Sequence, residues 1–382
     1  SMAKKEANQG GLPPIKVGFS IFDVGVALSV GIALTAFLLT SSYSQHFLPG
    51  FKPSWTTYNA TPLATPEVHA DGSTTYSLYL VTDLDHDSKS ADKKNTWQSI
   101  AHRAVLTIRK DPPPGTKVAS VELGGTKLLT SQLAAGGRSM ELSDLVVFNG
   151  RLLSCDDRTG LIYEIDVDQS KAFPWIFLPD GPGIRSTKGL KAEWMTVKGR
   201  ELYVGGLGKE WTTTTGEYVN DDPMWVKVVS PEGGVRHVNW REVYVRARRA
   251  LGIEYPGYTI NEAVQWSDEK QRWFFLPRRA SNEKYSEEED EHRGTNKLIS
   301  CNEDFDDWKV VTVGEAGDGA RGFSAFQFVP GTRDELIVAL KSEEKDGKPV
   351  ASYLSLFNTK GDVLMEDTKL EGAVKYEGVA FA

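Results

Sequence analysis

The chain has 382 residues, 40% hydrophobic and 25% charged, with 36 Gly, 18 Pro and 10 Trp. This describes a globular protein and excludes collagen-like, coiled-coil and wholly disordered classes. A balance of 44 Lys+Arg against 52 Asp+Glu gives a formal charge of −8, which argues against a nucleic-acid binder working through a general basic field. Two cysteines are too few for a disulfide scaffold, and six scattered histidines include no pair at zinc-ligand spacing.

In chain order, the first predicted element is an apolar run from Val17 to Thr40, interrupted only by Asp23. It is long enough to cross a hydrocarbon core about 30 Å thick as a helix. Lys4, Lys5 and Lys16 precede the run and Ser41, Ser42, Tyr43 and Ser44 follow it, so the positive-inside rule predicts a type II membrane protein. Residues 1–16 are then a cytosolic tail, 17–40 a signal anchor and 41–70 a lumenal stem. A cleaved signal peptide is the alternative, and it too exports the rest of the chain. The only glycosylation sequon, Asn59-Ala60-Thr61, falls in the stem.

Beyond the stem, short runs rich in β-branched and aromatic residues follow one another: Tyr76 to Thr82, Ala104 to Ile108, Lys117 to Leu123, Leu145 to Asn149, Leu152 to Cys155 and Leu161 to Ile165. Helical periodicity is confined to Trp240 to Leu251 and the span around Ser131. One unit recurs with variation, a polar residue followed by an apolar stretch, a turn and a second apolar strand. It begins at Ser143, Glu193, Glu262, Ser324 and Glu377, with gaps of 50, 69, 62 and 53 residues. Each gap holds about four short strands, the content of a propeller blade. The fifth copy meets the C-terminus after one strand, while the strands from Tyr76 to Leu123 lack a matching start. Joining the two ends predicts an all-β five-bladed propeller over 71–382 whose last blade combines a C-terminal innermost strand with three N-terminal strands. Cys155 and Cys301 fall in non-adjacent blades, so no intrachain disulfide is expected.

If each repeat's polar residue starts an innermost strand, the five converge on the central channel. Three converging glutamates need a counter-charge, and hard oxygen donors in an irregular ring suit calcium. Hydrogen bonding between blades is the structural alternative. Nearby stand arginines whose guanidinium forks suit phosphate: Arg138, Arg158, and the doublet Arg278-Arg279. Asp83 and Asp85 end a strong strand, where they can orient a water or simply shape a turn. Two tempting motifs fail. Gly205 to Trp211 has Glu210 where a P-loop needs Ser or Thr, and the loop from Asp83 has Ser88 and Lys94 where a calcium-binding EF-hand needs Gly and Glu.

The chain closely resembles the calcium-activated nucleotidases of the apyrase family. The resemblance is carried by DLD at Asp83, RSMELSDL at Arg138, DDRTG at Asp156, KAEW at Lys191, GGLGKEWTTTTG at Gly205, RWFFLPRRAS at Arg272, GFSAF at Gly322, ALKSEE at Ala339 and KYEG at Lys375. It implies calcium-dependent hydrolysis of nucleoside diphosphates, UDP and GDP first, with triphosphates cleaved less readily. The implied calcium ligands are Ser143, Asp144, Glu193, Glu262, Ser324 and Glu377. Asp83, Asp85, Glu141 and Asp157 become candidates to orient or deprotonate the attacking water. Arg138, Arg158, Arg278 and Arg279 become phosphate ligands, and Trp211 a nucleobase platform. The anchor and stem resemble the endoplasmic reticulum and Golgi members, whose lumenal activity removes UDP released by glycosyltransferases. A secreted form and a homodimer stay open, as do two rival readings, a propeller glycosidase with facing carboxylates and a non-catalytic propeller that binds a glycan or a protein.

Overall fold

The computed structural model describes residues 58–113, 115–315 and 317–382. The expected tail, anchor and most of the stem lie outside the described residues; among the described residues no helix is long and apolar enough to cross a membrane. Residues 57–382 form one compact unit.

Five antiparallel sheets, each with a four-stranded core, make up the propeller. Blade 1 consists of Leu142–Phe148, Arg151–Asp156, Leu161–Asp166 and Lys171–Phe177. Blade 2 consists of Trp194–Lys198, Glu201–Gly205, Trp225–Val229 and Val235–Asn239. Blade 3 runs through Tyr258–Ser267, Arg272–Ser281, Lys297–Asn302 and Lys309–Thr312. Blade 4 runs through Arg321–Phe328, Leu336–Lys345, Lys348–Asn358 and Val363–Lys369. Blade 5 closes the ring as the repeat pattern predicts: the C-terminal strand Lys375–Phe381 pairs with Ser73–Asp83, which continues into Trp97–Arg109 and Ala119–Ser131. The first strand of each blade packs against its counterparts around the channel.

Local chemistry explains the hairpins. Asn149-Gly150 and Asp346-Gly347 both have positive φ at the two turn positions, the conformation that a two-residue hairpin of matching twist demands. The expected helix appears as Arg241–Ala250, with Val243, Tyr244, Val245 and Ala247 buried. The span around Ser131 is not helical. It ends the strand Ala119–Ser131, where ladder pairing with Trp97–Arg109 outweighs a weak local preference. Cys155 and Cys301 are buried free thiols, as expected.

The cores lie between blades. Leu78, Leu80 and Leu106 of blade 5 pack with Val338, Leu340 and Leu354 of blade 4. Between blades 2 and 3 the packing is aromatic, with Trp194, Trp240, Trp266 and Trp273 in one cluster. At the closure, blade 5 approaches blade 1 so closely that a Cβ on Gly378 would lie 2.8 Å from the Asp144 carbonyl carbon and 2.9 Å from the Leu145 nitrogen. Those neighbours are backbone and cannot rotate away. Gly378→Ala is therefore expected to destabilise the propeller by about 1–3 kcal/mol, read as a lower thermal unfolding midpoint; an unchanged midpoint would show that the seam tolerates separation.

Candidate active site and metal centre

Four of the five predicted channel residues sit at irregularities in their innermost strands. In blade 1, Leu142 pairs with Asp156 and Asp144 with Cys155, leaving Ser143 as the extra residue. Ser324 is skipped in the same way between Phe323 and Ala325, and Glu377 between Tyr376 and Gly378. In blade 3 the register breaks across Glu262 and Ala263, opposite Leu276, and a second break leaves Arg278 of the facing strand without a partner between Pro277 and Arg279. A bulge bends the strand and re-aims the extra side chain, and Glu262 and Glu377 line the channel cavity. It also explains how successive residues Arg278 and Arg279 both line the same cavity. Glu193 precedes its strand, with its N–H donating to the Gly205 carbonyl.

The cavity at this end of the channel holds about 160 Å³. Nine carboxylates line it, including Glu193, Glu262, Glu377, Asp83, Asp85 and Asp157, against four cationic side chains, Lys191, Lys375, Arg278 and Arg279. A larger cavity of about 620 Å³ between blades 3 and 4 contains none of the predicted residues, so volume alone does not locate the chemistry.

The four cations are used differently. Lys191 Nζ contacts Asp157 and lies 2.7 Å from Glu193 Oε1. Lys375 Nζ lies 2.7 Å from Asp83 Oδ2 and 2.8 Å from Asp85 Oδ2. Arg278 donates to Glu262, Glu377 and Glu344, so it is saturated. Gly322 leaves room for it, since a Cβ there would stand 2.5 Å from Arg278 Cγ. Arg279 is equally buried, yet its nearest carboxylate oxygens, on Asp290 and Glu344, are both 3.9 Å away, and its Nη1 has no hydrogen-bond partner. Of the predicted phosphate-binding arginines, it has the clearest unused donor. Arg138 is occupied by both oxygens of Glu141 and by Asp85, while Arg158 Nε stands 3.8 Å from Glu141.

The electrostatics point to a missing positive charge. Burial, then neighbouring Glu262 and Asp157, push Glu193 up to about 8 despite Lys191. Burial, then Asp157 and Asp83, do the same to Glu141 despite Arg138. Glu377 is raised by burial too. Burial would also raise Glu344, but Arg278, Lys375 and Arg279 overcome it and draw that carboxyl down to about 2.

The donors fit a hard divalent cation. Ser143 Oγ and Asp157 Oδ1 are buried oxygens with no hydrogen-bond partner, and the set around them is oxygen only, the preference of calcium. Ser324 donates its hydroxyl to the Tyr376 carbonyl. Ser143 and Ser324 lie in the bulges without lining the open cavity. Asp144, expected as a ligand, has its carboxylate oxygens on the Leu145 and Met195 N–H groups at 2.7 and 2.6 Å, as a strut between blades 1 and 2. A second oxygen group, Asp83, Asp85 and Glu141, brings one oxygen of each within 4.8 Å of the others and can also hold a cation, although Lys375 and Arg138 already neutralise part of it. Trp211 is absent from the cavity lining; it packs on Leu207, Tyr258, Ile260 and Tyr285, with Lys188 Nζ 4.6 Å from its ring centre.

Sequence reasoning missed Lys191 and Lys375. Each stands two residues before a channel glutamate, in Lys191-Ala192-Glu193 and Lys375-Tyr376-Glu377, as Glu141 stands before Ser143. Reading the repeat two positions upstream would have found this second tier. Asp290 and Glu344 carried no comparable signal, because the first ends the short helix Glu287–Asp290 and the second comes from the second strand of blade 4.

Fold and site together define a five-bladed propeller whose carboxylate-lined channel mouth could hold a cation beside an arginine with an unpartnered nitrogen. The comparisons narrow the class. The Apyrase family model matches residues 84–382. The chain is 58% identical over 314 residues to apyrase apy-1 of Caenorhabditis elegans, covering 82% of this chain and 86% of that one. It is 47% identical over 391 residues to soluble calcium-activated nucleotidase 1 of Rattus norvegicus, covering 97% and 94%, and 40% identical over 353 residues to an apyrase of Cimex lectularius, covering 92% and 95%. The chain belongs to the apyrase family and so stands among calcium-associated nucleotidases.

Binding of calcium to the folded chain should raise its unfolding midpoint, by an amount equivalent to about 2.7 kcal/mol when calcium stands at a hundred times its Kd. Chelator should reverse the shift and Glu193→Gln should shrink it; equal shifts in wild type and variant would remove Glu193 from the ligand set. Protons held by Glu193 and Glu141 below about pH 8 must leave when a cation binds. Calcium affinity is thus expected to rise from pH 6 to 8, with proton release visible as a buffer-dependent binding enthalpy; a pH-independent affinity would contradict this assignment.

Proposed function

We propose that the protein is a calcium-dependent nucleoside diphosphatase that cleaves UDP and GDP to the monophosphate and phosphate, and triphosphates less readily. The observation that carries this reading is the unpartnered buried hydroxyl of Ser143, at the bulge of an innermost strand, together with the unpartnered guanidinium nitrogen of Arg279. One arrangement asks for a cation, the other for an anion.

In this reading Ser143, Glu193, Glu262, Ser324 and Glu377 hold the calcium, which supplies charge neutralisation to the diphosphate. Arg279 binds the equatorial oxygens of the transferred phosphoryl group, where charge accumulates in the transition state. Asp157 is the favoured acceptor for the proton of the attacking water, because Lys191 holds its other oxygen and Oδ1 is free. Arg138 orients Glu141, and Lys375 orients Asp83 and Asp85.

The same reading places residues 17–40 in the endoplasmic reticulum or Golgi membrane with the propeller in the lumen. Asn59, exposed and with its Oδ1 accepting the Thr61 N–H, carries the stem glycan. Phosphate release from UDP, GDP, ADP and ATP, assayed with calcium, with magnesium and with chelator, tests the proposal. Calcium-only cleavage led by UDP and GDP is expected, with a loss of at least a hundredfold in Arg279→Ala. No release under any condition from folded protein would leave a binding propeller.

A further inference from the structure

The unused donor of Arg279 poses a physical question. Asp290 lines the same cavity, and its Oδ2 stands 3.9 Å from Arg279 Nε. A carboxylate and a guanidinium this close and this buried attract strongly and would normally close to a direct pair. That closure would engage the Nε edge of the guanidinium and neutralise the charge that makes the unpartnered Nη1 attractive to an anion. What stands against it is Tyr258, itself buried at the start of the innermost strand of blade 3, whose hydroxyl donates to Asp290 Oδ1 at 2.5 Å. Its ring packs edge-on to Tyr285 at 5.5 Å, so the hydroxyl is fixed in place.

The backbone carrying Asp290 is also restrained. Glu287 N–H donates to the Thr214 carbonyl of blade 2, and Glu291 accepts the Asp346 and Gly347 N–H groups at a hairpin tip of blade 4. The segment from Glu287 to Glu291 is therefore tied at one end by its backbone and at the other by the Glu291 side chain, so side-chain rotation is the direct route by which the Asp290 carboxylate and Arg279 would meet.

We propose that Tyr258 is a positioning residue that holds the Asp290 carboxylate off Arg279 and so keeps the guanidinium open to a phosphoryl oxygen. This rests on the nucleotidase reading above, and deepens it by assigning the residue that sets the affinity of its anion subsite. Asp290, held at that distance, steadies Arg279 beside the like charge of Arg278 without quenching it.

The sign of each substitution follows. Tyr258→Phe frees Asp290 to pair with Arg279 and should weaken binding of α,β-methylene-UDP, measured calorimetrically with calcium present, by about tenfold, the effect of losing one charge-assisted hydrogen bond. Asp290→Asn removes the competing charge and should bind the analogue at least as tightly as wild type. The double variant should match Asp290→Asn, so the second substitution rescues the first. Asp290→Glu, whose longer arm reaches Arg279, should weaken binding like Tyr258→Phe and reads the same contact if that variant does not fold.

Unfolding midpoints of all chains identify losses caused by misfolding. A Tyr258→Phe chain that binds like wild type, or a double variant as weak as Tyr258→Phe, overturns the inference while leaving the nucleotidase reading intact. A folded wild-type chain that neither binds the analogue nor releases phosphate from UDP overturns both.

Discussion

Crowding of negative charge at one end of the channel is the constraint on which the rest of the site depends. Nine carboxylates around a cavity of about 160 Å³ cannot all be ionised in a buried setting without compensation. The protein supplies part of that compensation internally. Arg278 ties blades 3, 4 and 5 through Glu262, Glu344 and Glu377, while Lys191 bridges two carboxylates and Lys375 pairs with four. The remaining deficit appears as raised proton affinity at Glu193, Glu141 and Glu377. A hard divalent cation meets that deficit without adding a donor that the surrounding oxygens must accept.

Strand irregularity is how the fold delivers those charges. Regular strands alternate their side chains, and successive residues face opposite sides. The bulges at Ser143, Ser324 and Glu377 and the break at Glu262 depart from that alternation where the chemistry is needed. Inter-blade packing of Trp266, Trp273, Leu340 and Leu354 holds these departures in place. Stability and site geometry are thereby separated, the first residing in apolar seams between blades and the second at strand starts beside the channel.

The blade count, the closure and the three glutamates that line the channel cavity were legible in the sequence because a propeller repeats one solution, so polar residues recurring at similar spacing mark equivalent places. Lys191 and Lys375 belong to the same repeat but were read past, since an isolated lysine resembles any surface lysine until its register is considered. Arg278 and Arg279 could not be told apart in the sequence. Their difference lies in Glu344 and Glu377, which come from other blades and saturate one guanidinium but not the other. Asp144 and Trp211 were placed by resemblance, and their hydrogen bonds and packing to neighbouring segments follow from the tertiary fold.

Closure of the ring by Lys375–Phe381 ties the channel cavity to the seam of the propeller. Lys375–Phe381 supplies the innermost strand of blade 5 and also Lys375 and Glu377 in the cavity. Blades 1 to 4 and the outer strands of blade 5 all precede Lys375 in the chain, so a variant cut before Lys375 lacks both the seal of the ring and these two cavity side chains. Ring seam and cavity are therefore built by one strand: whatever loosens its pairing with Ser73–Asp83 also withdraws a lysine and a glutamate from the channel mouth.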